Sequence, residues 1–201
     1  MLFITLETNH FEAKVVEMAD WIVIPAANFA VSWAIQVDTL SVTMMLVVTG
    51  VGSLIHIYAM GYMQGDKNYS RFFMYFSLFI FFMLILVSAD NYLMLFVGWE
   101  GVGLCSFLLI SYWFDVEKEG KAVNADAGRK AFIVSRVGDF GVILAMILIF
   151  WAFGSLNFEH VFDASIKMFA QHEMVNLGLF SAPVGVVITA IVSLFLAGRR
   201  G

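Results

Sequence analysis

Asn91-Tyr-Leu-Met-Leu-Phe-Val-Gly98-Trp-Glu100-Gly-Val-Gly103-Leu-Cys105-Ser-Phe-Leu-Leu-Ile-Ser111 is the stretch on which the fold turns. At about 1.5 Å of helix per residue it crosses a hydrocarbon core about 30 Å thick. One carboxylate, Glu100, interrupts it near the middle. A charge at bilayer mid-depth costs about 2.5–3.5 kcal/mol on insertion scales, so Glu100 needs a partner, water or a function.

The surrounding chain has the same character. Hydrophobic residues make up 61% of the 201 positions and charged residues 13%, against about 45–50% and 25% in soluble proteins. Several apolar runs approach spanning length, so the expected class is an all-α integral membrane protein. The long runs do not alternate apolar with polar, which excludes a membrane β-barrel. A single cysteine, Cys105, allows no intrachain disulfide and no CxxC metal site. The net charge of −5 is scattered over loops, and no basic patch suggests nucleic acid. The first twenty residues are acidic and lack the basic start of a signal peptide.

Working outward, residues 1–39 read as an extramembrane segment. In residues 29–38, Phe29, Val31, Trp33, Ile35 and Val37 alternate with smaller or polar residues. This period of two predicts a strand. It pairs with residues 21–24 across the turn at residues 25–28, as a short surface β-hairpin with Trp side chains at headgroup level. Five transmembrane helices are expected over 40–63, 71–89, 91–114, 131–153 and 177–197, followed by a tail over 198–201. Asp38 or Thr39 is the expected N-cap of the first helix. Residues 115–130 read as a charged loop, and 158–169 as a short amphipathic helix.

Loop charges set an orientation. Lys67, Arg71, Lys118, Lys121, Arg129, Lys130, Arg199 and Arg200 fall on one side, against Lys14 and Lys167 on the other. The positive-inside rule puts the first group in the cytoplasm or matrix.

The candidate site residues are the ionisable groups inside the apolar runs. Glu100 is a candidate protonatable site, with a structural buried ion pair as the alternative. Gly103 removes bulk on its side, while Gly98, Gly101 and Cys105 form a small-residue strip suited to close helix packing. Arg136 and Asp139 stand one turn apart and can pair with each other; Arg136 can also reach toward a neighbouring helix. His56 is either a proton relay or a packing histidine bonded to a carbonyl. Asp90 and Asn91 are explained by capping at the membrane edge. His160 and Asp163 have near-metal spacing, but two residues make no ligand set, and His10 and His172 lie in soluble stretches. No phosphate loop, metal set or activated nucleophile is present. Acid, base and cation groups at membrane depth suit proton or cation movement.

Residues 38–45, Leu54-Ile-His56-Ile-Tyr58, Gly61-Tyr-Met63, Ser70-Arg-Phe-Phe73, Asp90-Asn91 and Gly98-Trp-Glu100-Gly-Val-Gly103-Leu-Cys-Ser106 closely resemble the L-type antiporter-like subunits of NADH-quinone oxidoreductase, respiratory complex I. Ala131-Phe-Ile-Val-Ser-Arg136-Val-Gly-Asp139 continues the likeness, which runs from about residue 21 to 197. The resemblance implies that Glu100 is the glutamate of a proton channel and that Arg136 and Asp139 occupy charged positions of the next helix. NADH, FMN, iron–sulfur clusters and quinone are then the business of partner subunits, with no cofactor and no metal in this chain. The implied partners are other membrane-arm subunits and the lipid bilayer. The implied location is the bacterial inner membrane, with the mitochondrial inner membrane second. Family members also carry helices before the hairpin and a longer C-terminal part with a partner lysine, so the chain is expected to be a fragment. The large subunit of a multisubunit Na⁺/H⁺ antiporter is similar over the same region. A non-transporting structural or assembly fragment is the alternative of another class.

Overall fold

The computed structural model describes residues 13–25, 29–115, 123–171, 174–176 and 181–198. Strands β1 (Lys14–Ile24) and β2 (Phe29–Val37) pair as an antiparallel hairpin. Helices α1 (Thr39–Tyr62), α2 (Tyr69–Ser88), α3 (Tyr92–Ile110) and α4 (Val123–Phe153) follow. Then come α5 (Phe158–Ala170), the short strands β3 (Met174–Asn176) and β4 (Ser181–Pro183), and α6 (Val184–Gly198). Helices α1 to α4 are long and apolar enough to cross a membrane. The all-α membrane class with a preceding hairpin is therefore what the structure has.

Local chemistry explains the boundaries. Asp38 caps α1: its carboxylate accepts from the Ser41 amide at 2.6 Å, and the Ser41 hydroxyl accepts from the Asp38 amide at 2.9 Å. This reciprocal box satisfies two backbone donors at once. The Asn157 side chain caps α5 by accepting from the Glu159 amide at 3.0 Å, as the amphipathic reading of 158–169 requires.

Four boundaries differ from the sequence reading. The third expected helix, read over 91–114, ends at Ile110, and residues 111–115 form turns tied to the α1–α2 connection. The first strand starts at Lys14 rather than Trp21; β1 is exposed along nearly its whole length, so no alternating pattern marks it. The expected loop 115–130 is helical from Val123 onward, with Asp126 in the first turn and Arg129 one turn later at 3.6 Å. At about 1.5 Å per residue, 31 residues reach about 46 Å, so α4 exceeds the hydrocarbon thickness and carries a polar extension. The fifth helix, expected over 177–197, begins only at Val184, because Pro183 disfavours helix at the preceding residue. Residues 174–176 and 181–183 pair as strands instead, with Val175 opposite Ala182. The described part of α6 is 15 residues long. The expected hairpin turn falls largely on residues 26–28, outside the described residues, as do His10, His172, Lys118, Lys121, Arg199 and Arg200.

The described residues form two compact units. The first comprises residues up to Val16, Ile35–Ala89 and Met94–Ile133. Within it Ile35, Val37 and Val42 pack together where β2 enters α1, and Ile35 bridges to Ala89 at the end of α2. A Cβ added at Gly52 would sit 2.9 Å from Ile80, and one at Gly98 would sit 2.7 Å from the Leu86 Cα. Glycine thus allows α1 and α3 each to approach α2 closely, as small residues do in membrane helix pairs.

The second unit comprises Glu17–Ala34, Asp90–Leu93 and residues from Val134 onward. Its core is the buried row Val142, Ala145, Met146 and Ile149 of α4, with Val161, Val175, Val184 and Val187 from the later elements. On β2 the period of two is only partly kept. Val31 is buried as expected, but Ala34 of the opposite row is completely buried too, so both faces of the strand are covered.

Candidate functional site

Glu100 is the ninth residue of the 19-residue helix α3, midway along it and about 12 Å from its start. The packed face of α3 is Met94, Gly98, Gly101 and Cys105, all buried. A Cβ at Gly101 would run into the Phe82 ring. This is the small-residue strip read from the sequence, and it serves as a helix contact. Glu100 follows Gly98 by two residues, about 200° around the helix. It therefore projects from the other side and is half-buried.

Arg136 and Asp139 form the pair that their spacing predicts. The Arg136 Nε lies 3.3 Å from the Asp139 Oδ2. Their burial is unequal: the Asp139 side chain is 5% exposed and that of Arg136 36%. A buried carboxylate next to a guanidinium is a site where charge is held at membrane depth by its neighbour.

His56 is held within the first unit. Its Nδ1 lies 2.9 Å from the Gly52 carbonyl one turn earlier. A carbonyl only accepts, so Nδ1 carries the proton and the ring can be neutral with Nε2 as acceptor. Nε2 lies 3.5 Å from the Ser77 hydroxyl, and the ring stacks on Phe76 at 4.3 Å. This is the geometry of the packing alternative. His160 and Asp163 lie on α5, and among the described residues no three His, Cys, Asp or Glu side chains come together as metal ligands.

Two polar clusters were not legible as such. At one end of the first unit, Asp66 of the α1–α2 connection gathers three donors. They are the Trp113 indole N–H at 3.0 Å, the Asn68 amide at 2.7 Å and the Tyr112 hydroxyl at 3.0 Å. The Trp113 N–H, first among these, holds the Asp66 carboxyl below the usual carboxylate range. Burial, then the hydrogen bond to Asp66, pushes the Tyr112 phenol up to about 12. The connections after α1 and after α3 are thereby tied together at one end of the bundle. These are two of the three basic stretches assigned to one side by charge.

In the second unit Asp90 is buried at 2% exposure, and burial raises its carboxyl. Its Oδ1 accepts from the Asn91 side chain at 2.6 Å and its Oδ2 from the Asn157 side chain at 3.4 Å. The Asn91 amide also donates to the Ser32 carbonyl at 3.0 Å, and the Asp90 carbonyl accepts from the Phe158 amide at 3.2 Å. Asp90 and Asn91 thus staple β2 and the α4–α5 connection to the start of α3. The simple capping read from the sequence missed these long-range partners.

Comparison with known proteins follows the same lines. Residues 21–73 match the family described as NADH-ubiquinone oxidoreductase (complex I), chain 5 N-terminus. Residues 89–196, more than half of the chain, match the family described as NADH:quinone oxidoreductase/Mrp antiporter, transmembrane. The chain is 42% identical over 178 residues to NADH-ubiquinone oxidoreductase chain 5 of Allomyces macrogynus, covering 88% of this chain and 27% of that protein. It is 49% identical over 153 residues to NADH-quinone oxidoreductase subunit L of Rickettsia bellii, covering 76% and 23%. Against subunit L of Mycobacterium tuberculosis the identity is 46% over 156 residues, covering 78% and 24%. The chain spans about a quarter of the length of these relatives. The structure of the Mrp complex from Dietzia sp. DQ12-45-1b matches with a TM-score of 0.70 at 20% identity, covering 93% of this chain and 18% of that one, and so shares the fold. With four spanning helices and bacterial subunit L relatives, this is a multi-pass inner-membrane protein. The chain belongs to the NADH:quinone oxidoreductase/Mrp antiporter transmembrane family.

Proposed function

We propose that this chain is the part of a proton-translocating subunit of NADH-quinone oxidoreductase that carries one set of intramembrane charges. The observation that carries this reading is Glu100, a carboxylate midway along a spanning helix, in a chain 49% identical over 153 residues to a subunit L. Glu100 takes up a proton from water on one side, holds it as a neutral acid, and releases it when its surroundings change. In a low-dielectric setting the ionised and neutral forms differ greatly in cost, so a modest rearrangement switches proton occupancy. Arg136 stays protonated throughout. Its pairing with Asp139 sets the local field, and loosening the pair alters that field. Moving one proton against 100 mV stores about 2.3 kcal/mol. His56, placed between the Gly52 carbonyl and the Ser77 hydroxyl, is the weakest member of the path.

The redox chemistry belongs to partner subunits in this reading. Cys105 is buried on the packed face of α3. The chain's partners are the other membrane-arm subunits and the surrounding lipid, and its part in the enzyme is translocation.

A second reading, the large subunit of a multisubunit Na⁺/H⁺ antiporter, draws support from the fold shared with the Mrp complex. A third makes these residues structural or assembly elements only. Inverted membrane vesicles from cells with and without the gene separate them. Loss of NADH-driven proton uptake supports the first reading. Loss of Na⁺/H⁺ exchange with NADH-driven uptake intact supports the second. No change in either after assembly is restored by an inactive variant supports the third.

A further inference from the structure

A cavity of about 280 Å³ opens at the basic end of the first unit, between the start of α2, the end of α3 and the start of α4. Two guanidinium groups line it. Arg71 is the third residue of α2 and Arg129 the seventh of α4. The Ser111 hydroxyl stands with them, and Tyr75, Phe107 and Phe114 form the apolar walls. Phe107 lies in the last turn of the spanning helix α3, so the cavity joins the polar end of the bundle to hydrocarbon depth.

Among the described residues the charges in this cavity are poorly matched. Arg71 donates from Nη2 to the Tyr112 carbonyl at 3.3 Å, and its guanidinium carbon sits 5.4 Å from the Tyr112 and Phe114 ring centres. Its Nε is buried with no hydrogen-bond partner among the described residues. A buried N–H of this kind costs free energy until an oxygen meets it. The nearby carboxylate, Asp66, already accepts from Trp113, Asn68 and Tyr112. Arg129 pairs with Asp126 at 3.6 Å, but both side chains are more than half exposed, and such pairs contribute little.

We propose that this cavity is a binding site for an anionic phospholipid. The phosphate sits between Arg71 and Arg129, and the first methylenes of a chain lie along Tyr75 and Phe107. Guanidinium groups bind phosphate oxygens with paired, charge-assisted hydrogen bonds. Basic pockets between membrane helices on the positively flanked side are suited to anionic headgroups. The apolar walls select a lipid over free phosphate, which would gain nothing from them.

The test uses the protein in its native membrane complex, purified in mild detergent, with Arg129→Gln and Arg71→Lys variants. Native mass spectrometry counts retained phospholipids, and thermal unfolding is followed with added phosphatidylglycerol, phosphatidylcholine or inorganic phosphate. The expected result is an anionic phospholipid that survives washing on the wild type and is held about tenfold more weakly by Arg129→Gln, the loss of one charge-assisted contact. Phosphatidylglycerol alone raises the unfolding temperature. Equal retention by wild type and variants overturns the proposal. So does equal stabilisation by phosphatidylcholine, or by inorganic phosphate, which would mark a general anion site. If the variants do not assemble, a photo-crosslinker replacing Phe107 in otherwise wild-type protein decides. Capture of an anionic lipid supports the site, and capture of zwitterionic lipid or none overturns it.

Discussion

The α3 backbone at Gly98 lies against the α2 backbone at Leu86, so close that a Cβ on Gly98 would stand 2.7 Å from the Leu86 Cα. This contact fixes the rotation of α3 and with it the side from which Glu100 projects. Gly98→Ala must push backbone against backbone, and Gly98→Val more so. Overpacking costs about 1–3 kcal/mol. Gly98→Ala is expected to lower the unfolding temperature of the solubilised protein, and Gly98→Val to reduce the amount assembled in membranes. Unchanged stability in both would mean that the helices are not in backbone contact.

The Arg136–Asp139 pair is testable by a double-mutant cycle with Asp139→Ala, Arg136→Ala and the double variant. Each single change removes one member of a pair in which Asp139 is almost wholly buried. The expected coupling is favourable, about 0.5–3 kcal/mol in thermal or denaturant unfolding. Additive effects would show that the two residues do not share a site.

The legible parts of this fold are those where one local pattern decides. Asp38 and Ser41 announce the start of α1, and apolar length announces α1 to α4. The Gly98, Gly101 and Cys105 strip announces its contact with α2. The Arg136–Asp139 spacing announces the pair. What could not be read depends on partners far away in the chain. Tyr112 and Trp113 look like the end of a helix until Asp66 is seen to bind both. Asp90 looks like a cap until Asn157 is beside it. Strand β1 has no buried face to print a period on. The early start of α4 takes in Asp126 and Arg129, which read as loop charges in isolation.

Asp66 and Tyr112 give a pH signature. The fold favours the neutral phenol of Tyr112, whose pKa is pushed up to about 12 from an ordinary 10. Its contribution to stability is complete below about pH 10 and is lost as pH rises toward 12. Asp66 has the opposite sign: its contribution is present above its ordinary value of 3.8 and is lost as pH falls through the lower folded value. Asp66→Asn is expected to bring Tyr112 ionisation back toward 10. The phenolate absorbance difference between Asp66→Asn and Asp66→Asn/Tyr112→Phe measures this. No movement would deny the hydrogen bond.

Asp90 has a raised carboxyl, so the folded state holds its proton more tightly than the unfolded chain does. Stability therefore falls as pH rises from 3.8 through the raised folded value. Asp90→Asn keeps an acceptor for the Asn91 amide and removes the charge. It is expected to flatten this slope while changing neutral-pH stability by about 1 kcal/mol or less. Unfolding temperatures between pH 4 and 7 compare the two proteins, and identical slopes would contradict the assignment.

Whether Glu100 carries protons is decided by Glu100→Gln in the chromosomal gene. The substitution keeps the shape and removes the titration. Inverted vesicles report NADH oxidation and proton uptake together, with the assembled complex quantified on the same membranes. The expected result is normal assembly with proton uptake per NADH clearly reduced. Wild-type uptake per NADH in fully assembled Glu100→Gln membranes would contradict it.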